Sequence, residues 1–406
     1  MTLSEALPRE LRVYLASRFG SATAMTLLRA AVAWHVFDLS HSAFHLGLIG
    51  GVQFVPALGL ALVGGAAADV YERRRIMILA QLAALAGSAL LCVETARGQA
   101  SLPLLYAVIL AVSCAAAFEN PARMALLPTL MPRASFPRAV TVTGAVTALA
   151  FATGPALGGL VIAARGVAAA YAANAVLLLG SLAGLAALRP GPREAGRSGI
   201  TWRAIREGVA FVRGRPLVWG CMVLDMFAVV FGGASALLPI YADQILQVGA
   251  RGYGLLASSL EIGSLLMALV LMLRPPIVRA GRALVAAVVA YGLVTIVFGL
   301  SRSFPLSLAA YALAGMADQV SVVMRSTAIQ LSTPDELRGR VSSVNLLFIG
   351  ASNQLGAMES GFVAALTTAP FSVVSGGLGC LAVVAAVAWR VPELRRYRLD
   401  RPSARL

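Results

Sequence analysis

The sequence predicts an all-α membrane protein: twelve transmembrane helices in two pseudo-symmetric six-helix bundles. Three observations predict it. First, 59% of the 406 residues are hydrophobic and 13% charged, whereas a soluble globular chain is about one quarter charged. Second, the arginines gather on alternate connections between apolar runs. Third, the second half of the chain repeats the first. A helical crossing needs about 20 apolar residues, so the length holds twelve with short connections. Aromatics are only 7%, and Ala, Leu, Val and Gly dominate, which favours helices over barrel strands.

The apolar runs place spans at 13–37, 46–68, 76–95, 102–120, 139–164 and 168–188, then at 216–241, 253–273, 283–301, 304–324, 341–367 and 371–391. Arg9 and Arg12 precede the first span and Arg73, Arg74 and Arg75 follow the second. Further groups stand at Arg123 to Arg138, Arg189 to Arg215, Arg274 to Arg282, Arg325 to Arg340 and Arg390 to Arg405. The opposite connections carry Arg97, Arg165, Arg251 and Arg302, one each. That asymmetry predicts both termini in the cytoplasm, and no cleavable signal is expected before the first span. The net charge of +15 therefore reads as topology and contact with anionic lipid, not nucleic acid.

The longest connection follows Arg189 and opens Pro190-Gly191-Pro192. Trp202, Ile205, Val209 and Val212 then recur on one helical face, with Arg203, Arg206 and Arg213 around it. This predicts an amphipathic helix lying in the membrane surface. The chain divides into a bundle at 1–189, a cytoplasmic linker at 190–215, a second bundle at 216–391 and a tail at 392–406. Arg123 and Arg325, Pro132 and Pro334, Arg138 and Arg340, Gly154 and Gly356, and Gly159 and Gly361 stand 202 residues apart.

The loop Gly65-x-x-x-Asp69, then Arg73-Arg74-Arg75, resembles the signature between spans 2 and 3 of the major facilitator superfamily. Val70 and Glu72 depart from that pattern, and loop 274–282 lacks the matching acid. The resemblance implies the two-bundle fold and a latch in which Asp69 caps span 11 near Val341 and Ser342. Phe118-Glu119-Asn120-Pro121-Ala122-Arg123 and Gln330 to Val341 resemble a bacterial branch that includes enterobactin exporters and macrolide efflux proteins. Gly350 to Gly361 and the approach from Glu207 to Pro216 fit the same branch. Gly154-Pro155-Ala156-Leu157-Gly158-Gly159 resembles the core of the antiporter motif of drug exporters, although Thr141 and Ala150 replace its upstream glycines. Physically, Pro155 removes a helix hydrogen bond and the glycines permit a bend and close packing, with or without an antiport role.

Ionisable groups within spans are costly and mark transport pathways or buried pairs. The candidates are Arg29, Asp225, Glu261, Asp318 and Glu359. We expect Asp225, Asp318 or Glu359 to carry a proton, and Arg29 to be a counter-ion or substrate contact. Arg18 reads as an interfacial snorkelling residue, and His35, His41 and His45 as exposed loop residues rather than a metal site. The four cysteines lie in apolar spans and read as core residues. The chain has no lysine, which excludes a Walker A loop and Schiff-base chemistry. No catalytic motif is present, and no cofactor is expected.

The reading is a proton-coupled exporter of a small amphiphile such as a drug, macrolide or siderophore. It is expected to be monomeric, in the bacterial cytoplasmic membrane, and to work by rocker-switch alternating access. The alternatives are a lipid or lysophospholipid flippase of the same fold, a nutrient importer or a membrane-embedded enzyme.

Overall fold

A computed structural model describes residues 8–131, 135–188 and 202–399. Pro132 and Arg133, the linker from Arg189 to Thr201 and the tail from Asp400 lie outside them. The described residues are helical, with no strand among them. Eight of the described helices are long and apolar enough to cross a membrane, or nine if the bent pair Ala43–Gly59 and Val63–Val70 is one crossing. The chain forms two compact units, Met1–His35 with Val55–Gly199, and Val36–Phe54 with Ile200–Leu406. The sequence placed Val36–Phe54 with the first bundle; its contacts group it with the second.

The first unit contains most of α1 (Arg9–Ser40), the end of α2 (Ala43–Gly59), α3 (Ala61–Val70), α4 (Arg73–Ala96), α5 (Leu102–Leu126) and α6 (Phe136–Ala187). Pro56 and the break at Leu60 produce a 50° bend between α2 and α3. Tyr14, Leu15, Met77, Leu126 and Leu185 pack into one core at the arginine-rich end. There Arg73 donates to the Ala125 carbonyl at 2.9 Å, and Arg74 Nε to the Leu185 carbonyl at 2.7 Å. The two guanidinium groups thus cap the last turns of α5 and α6, where carbonyls lack helical donors and a cation is favoured.

The 52-residue α6 is two helices that meet at Gly166, with φ 80° and ψ 175°. Only glycine adopts this backbone without strain. Gly166→Ala is therefore expected to destabilise the protein by about 1–3 kcal/mol, read as a lower thermal midpoint in detergent. A midpoint equal to that of the unsubstituted protein would contradict this.

The second unit contains α7 (Trp202–Arg213), α8 (Pro216–Phe231), the short α9 (Leu238–Ile240), α10 (Gly249–Leu273), α11 (Ala280–Leu300), α12 (Phe304–Leu331), α13 (Asp335–Leu366), α14 (Ala369–Arg390) and α15 (Pro392–Arg396). Gly47 lies against Gly361, and Phe44 stacks on Phe362 at 5.1 Å, which is what joins Val36–Phe54 to α13. The span that begins with α8 unwinds at Gly232 and Gly233 and resumes through α9 and a π-turn at Tyr241–Ile245. Tyr291 donates to the freed Gly232 carbonyl at 3.1 Å, so the break leaves that acceptor satisfied.

Two findings differ from expectation. The helix α7 forms, but Val209 and Val212 of its apolar side face protein. Val212 is fully buried in the core of the second unit, and Val209 packs against that core. Gly208 lets α7 approach the Arg340 carbonyl and Val344 of α13, and Glu207 pairs with Arg340. The second difference concerns loop 274–282, which lacks the signature acid. It is held instead by the chain after α15: Gly281 N donates to the Tyr397 carbonyl at 3.1 Å and Leu399 N to the Val278 carbonyl at 2.9 Å. Leu394 is fully buried beneath them.

Candidate functional site

In the first unit, a polar chain runs through the apolar bundle. Ser17 of α1 and Ser181 of α6 hydrogen-bond each other. Ser181 Oγ donates to Gln81 Oε1 at 2.9 Å, and Gln81 Nε2 donates to Glu119 Oε1 at 3.1 Å. Glu119 also pairs with Arg123, one turn further along α5, and Arg123 donates to Asn120 at 3.1 Å. Arg18 lies half-buried beside this chain and donates from Nε to Thr147 Oγ1 at 3.1 Å. It is within electrostatic range of Arg123, Glu119 and Tyr14.

In the second unit, Asp225 of α8 and Arg325 of α12 form an ion pair, with the residues 8% and 3% exposed. Met222 and Leu224 of α8 and Met324 and Ala328 of α12, their neighbours along the chain, belong to the buried apolar core of that unit. Glu261 and Asp318 stand at the middles of α10 and α12, where those helices touch backbone to backbone. Gly263 meets the Ala312 carbonyl, Gly315 meets the Leu260 carbonyl, and Ser264 Oγ donates to the Gly315 carbonyl at 3.0 Å. Both acids are half-buried. Glu261 lies within electrostatic range of Tyr311, and Asp318 of Tyr291. The Asp318 carboxylate has no hydrogen-bond or ion-pair partner among the described residues. Glu359 accepts from Ser360 Oγ at 3.3 Å.

The structure separates the expected residues into four groups, one of them Glu359 on α13 beside Ser360. Arg29 is exposed on α1. Glu261 and Asp318 flank one helix crossing. Asp225 is committed to Arg325. Near the arginine loop, Gly65 is buried and Asp69 half-buried at the end of α3, while Arg75 makes an exposed pair with Glu72 at 2.6 Å. Gly154, Pro155, Gly158 and Gly159 are all buried in α6. A Cβ on Gly154 would lie 2.7 Å from the Thr23 carbonyl of α1, so this motif sets the approach of α1 and α6.

Sequence reasoning missed several residues. Arg123 and Arg325 are not loop residues, since α5 and α12 continue past them. Gln81 was not singled out, although a lone amide in an apolar span rarely lacks a partner. His35 is buried at 4% exposure with Nδ1 3.0 Å from Tyr171 OH, whereas His41 is exposed as expected. No group of residues able to hold a metal ion occurs among the described residues.

Two units of apolar helices long enough to cross a membrane, with charged side chains set into them, have the make-up of a polytopic membrane transporter. The comparisons agree. The family model for transmembrane secretion effectors matches residues 10–403, and the chain belongs to that family, within the major facilitator superfamily. The enterobactin exporter EntS of Escherichia coli O1:K1 / APEC is 29% identical over 410 residues, covering 99% of this chain and 96% of that protein. Among solved structures, a POT family transporter in complex with 5-aminolevulinic acid superposes with a TM-score of 0.74 at 12% identity, covering 95% of this chain and 97% of the other. A bacterial homologue of the human lysosomal transporter Spinster, inward-facing and unoccupied, superposes with a TM-score of 0.72 at 16% identity, covering 96% and 97%. These likenesses concern the fold. Together the matches are to transporters, not enzymes.

Proposed function

We propose that this chain exports a small amphiphilic molecule of the siderophore, macrolide or drug type, driven by inward proton movement. The observation that carries export is the resemblance along 99% of the chain to a protein that exports enterobactin. The protein acts as a monomer in the bacterial cytoplasmic membrane, with twelve crossings and both termini inside. Its two bundles alternate access to a shared path. Expression in an E. coli strain lacking its own enterobactin exporter tests the substrate. Restored secretion of enterobactin is expected; secretion no higher than with empty vector would exclude that siderophore as cargo.

Among the mid-span acids, Asp318 is the coupling site, with Glu261 across the same helix crossing and Glu359 on α13 of the same unit. An unpartnered carboxylate in a bundle is costly when ionised, so it takes a proton from one side and yields it when hydrated from the other. Asp225 is spent on Arg325. Arg29 is the substrate contact on α1, and the loop Asp69–Arg75 gates the cytoplasmic side. Asp69→Asn is expected to cut transport about tenfold or more at unchanged expression, a loss of about 1.4 kcal/mol of differential stabilisation. Unchanged turnover would remove Asp69 from the gate.

A further inference from the structure

The proposed export path leaves one charged side chain unused. Arg18 sits in the third turn of α1, inside the first bundle, and anchors only its Nε, on Thr147. The structure gives its two terminal nitrogens no hydrogen-bonding partner among the described residues. The nearby Glu119 carboxylate carries a single negative charge already paired with Arg123, and Gln81 donates to the same oxygen. Arg18, Arg123 and Glu119 therefore leave one positive charge uncompensated in an apolar bundle. Arg18 is half-buried, and a partly buried charge in that state favours the arrival of a counter-charge.

We infer that Arg18 is an anion-binding subsite on the transport path, taking a monoanionic head group such as a carboxylate or sulfonate on an apolar body. The fork of two unused donors matches a carboxylate or sulfonate side-on. Arg123 adds attraction from α5, and the buried Tyr14 lies one turn before Arg18 on α1. Glu119 repels a second negative charge, which limits the ligand to one. Arg29 stands eleven residues further along α1, about 16 Å higher and nearly on the same helical stripe. Arg18 and Arg29 thus form two cationic steps along one face. This inference gives the proposed export its substrate charge, and it rests on that reading only for calling the site part of a path.

Calorimetric titration of the full chain in zwitterionic lipid nanodiscs tests it with three probes of one size: 1-naphthoate, 1-naphthalenemethanol and 1-naphthylmethylammonium. The expected result is saturable binding of naphthoate at least tenfold tighter than of the other two. Arg18→Gln should weaken it at least tenfold, and Arg18→Lys should keep part of it. Equal binding of the three probes, no binding of naphthoate, or undiminished binding to Arg18→Gln of wild-type melting temperature would each overturn the inference. The comparison of probes on the unsubstituted protein decides even where the variant does not fold. Arg18-dependent binding without enterobactin secretion leaves this site standing and excludes that siderophore as cargo; secretion without charge-selective binding leaves the export reading standing and overturns this site.

Discussion

Arg325→Ala is expected to be among the most destabilising single changes in the chain. It leaves the Asp225 carboxylate buried without its cation, in a unit whose apolar core includes Met222, Leu224 and Ala328. Removing one partner of a buried pair typically costs about 3–5 kcal/mol. In this protein that should appear as a thermal midpoint lowered by several degrees and reduced yield in the membrane. The double variant Asp225→Asn with Arg325→Leu should recover most of the loss, because neither charge is then buried alone. The same double variant should retain transport, which separates a structural pair from a proton site. If the double variant is as unstable as Arg325→Ala, the pairing energy is not what holds α8 to α12. If it is stable but cannot couple to a proton gradient, Asp225 belongs to the transport chemistry after all.

The second large effect is on coupling. Asp318→Asn should leave the protein folded, because among the described residues this side chain makes no hydrogen bond or ion pair that substitution would break. Exchange of substrate down its own gradient should persist in proteoliposomes. Accumulation driven by an imposed pH difference should fall about a hundredfold, equivalent to roughly 2.7 kcal/mol of lost driving interaction. Loss of both activities would instead make Asp318 a substrate contact. Loss of neither would move the coupling role to Glu261 or Glu359.

The spans were legible in the sequence because each needs a long apolar run, and that signal does not depend on neighbours. Their ends were not. Arg123 and Arg325 look like loop arginines because a basic residue after an apolar run usually marks the cytoplasmic edge. What keeps them helical is a carboxylate, Glu119 one turn earlier in the same helix and Asp225 on a different one. The first partner is four residues away and could have been read as an i, i+4 pair. The second is a hundred residues distant and has no local signature.

The amphipathic pattern of α7 was correctly legible as a helix, but pattern alone does not say whether lipid or protein covers an apolar face. Gly208, which admits the Arg340 backbone, was the one local hint. Of the candidate site, the mid-span acids were visible one by one. That Glu261 and Asp318 flank the same crossing depends on the packing of Gly263 and Gly315, which sequence spacing does not encode. Arg18 was read as a snorkelling residue because it lies near a span end. Its Thr147 anchor and the occupied state of Glu119 appear only when α1, α5 and α6 are assembled.

The central claim is that proton movement drives substrate outward through this chain. The direct measurement is uptake of enterobactin into proteoliposomes carrying the purified protein, with the lumen held acidic. The account predicts accumulation above the external concentration, abolished by a protonophore. Uptake that only equilibrates, and that a protonophore leaves unchanged, would contradict it.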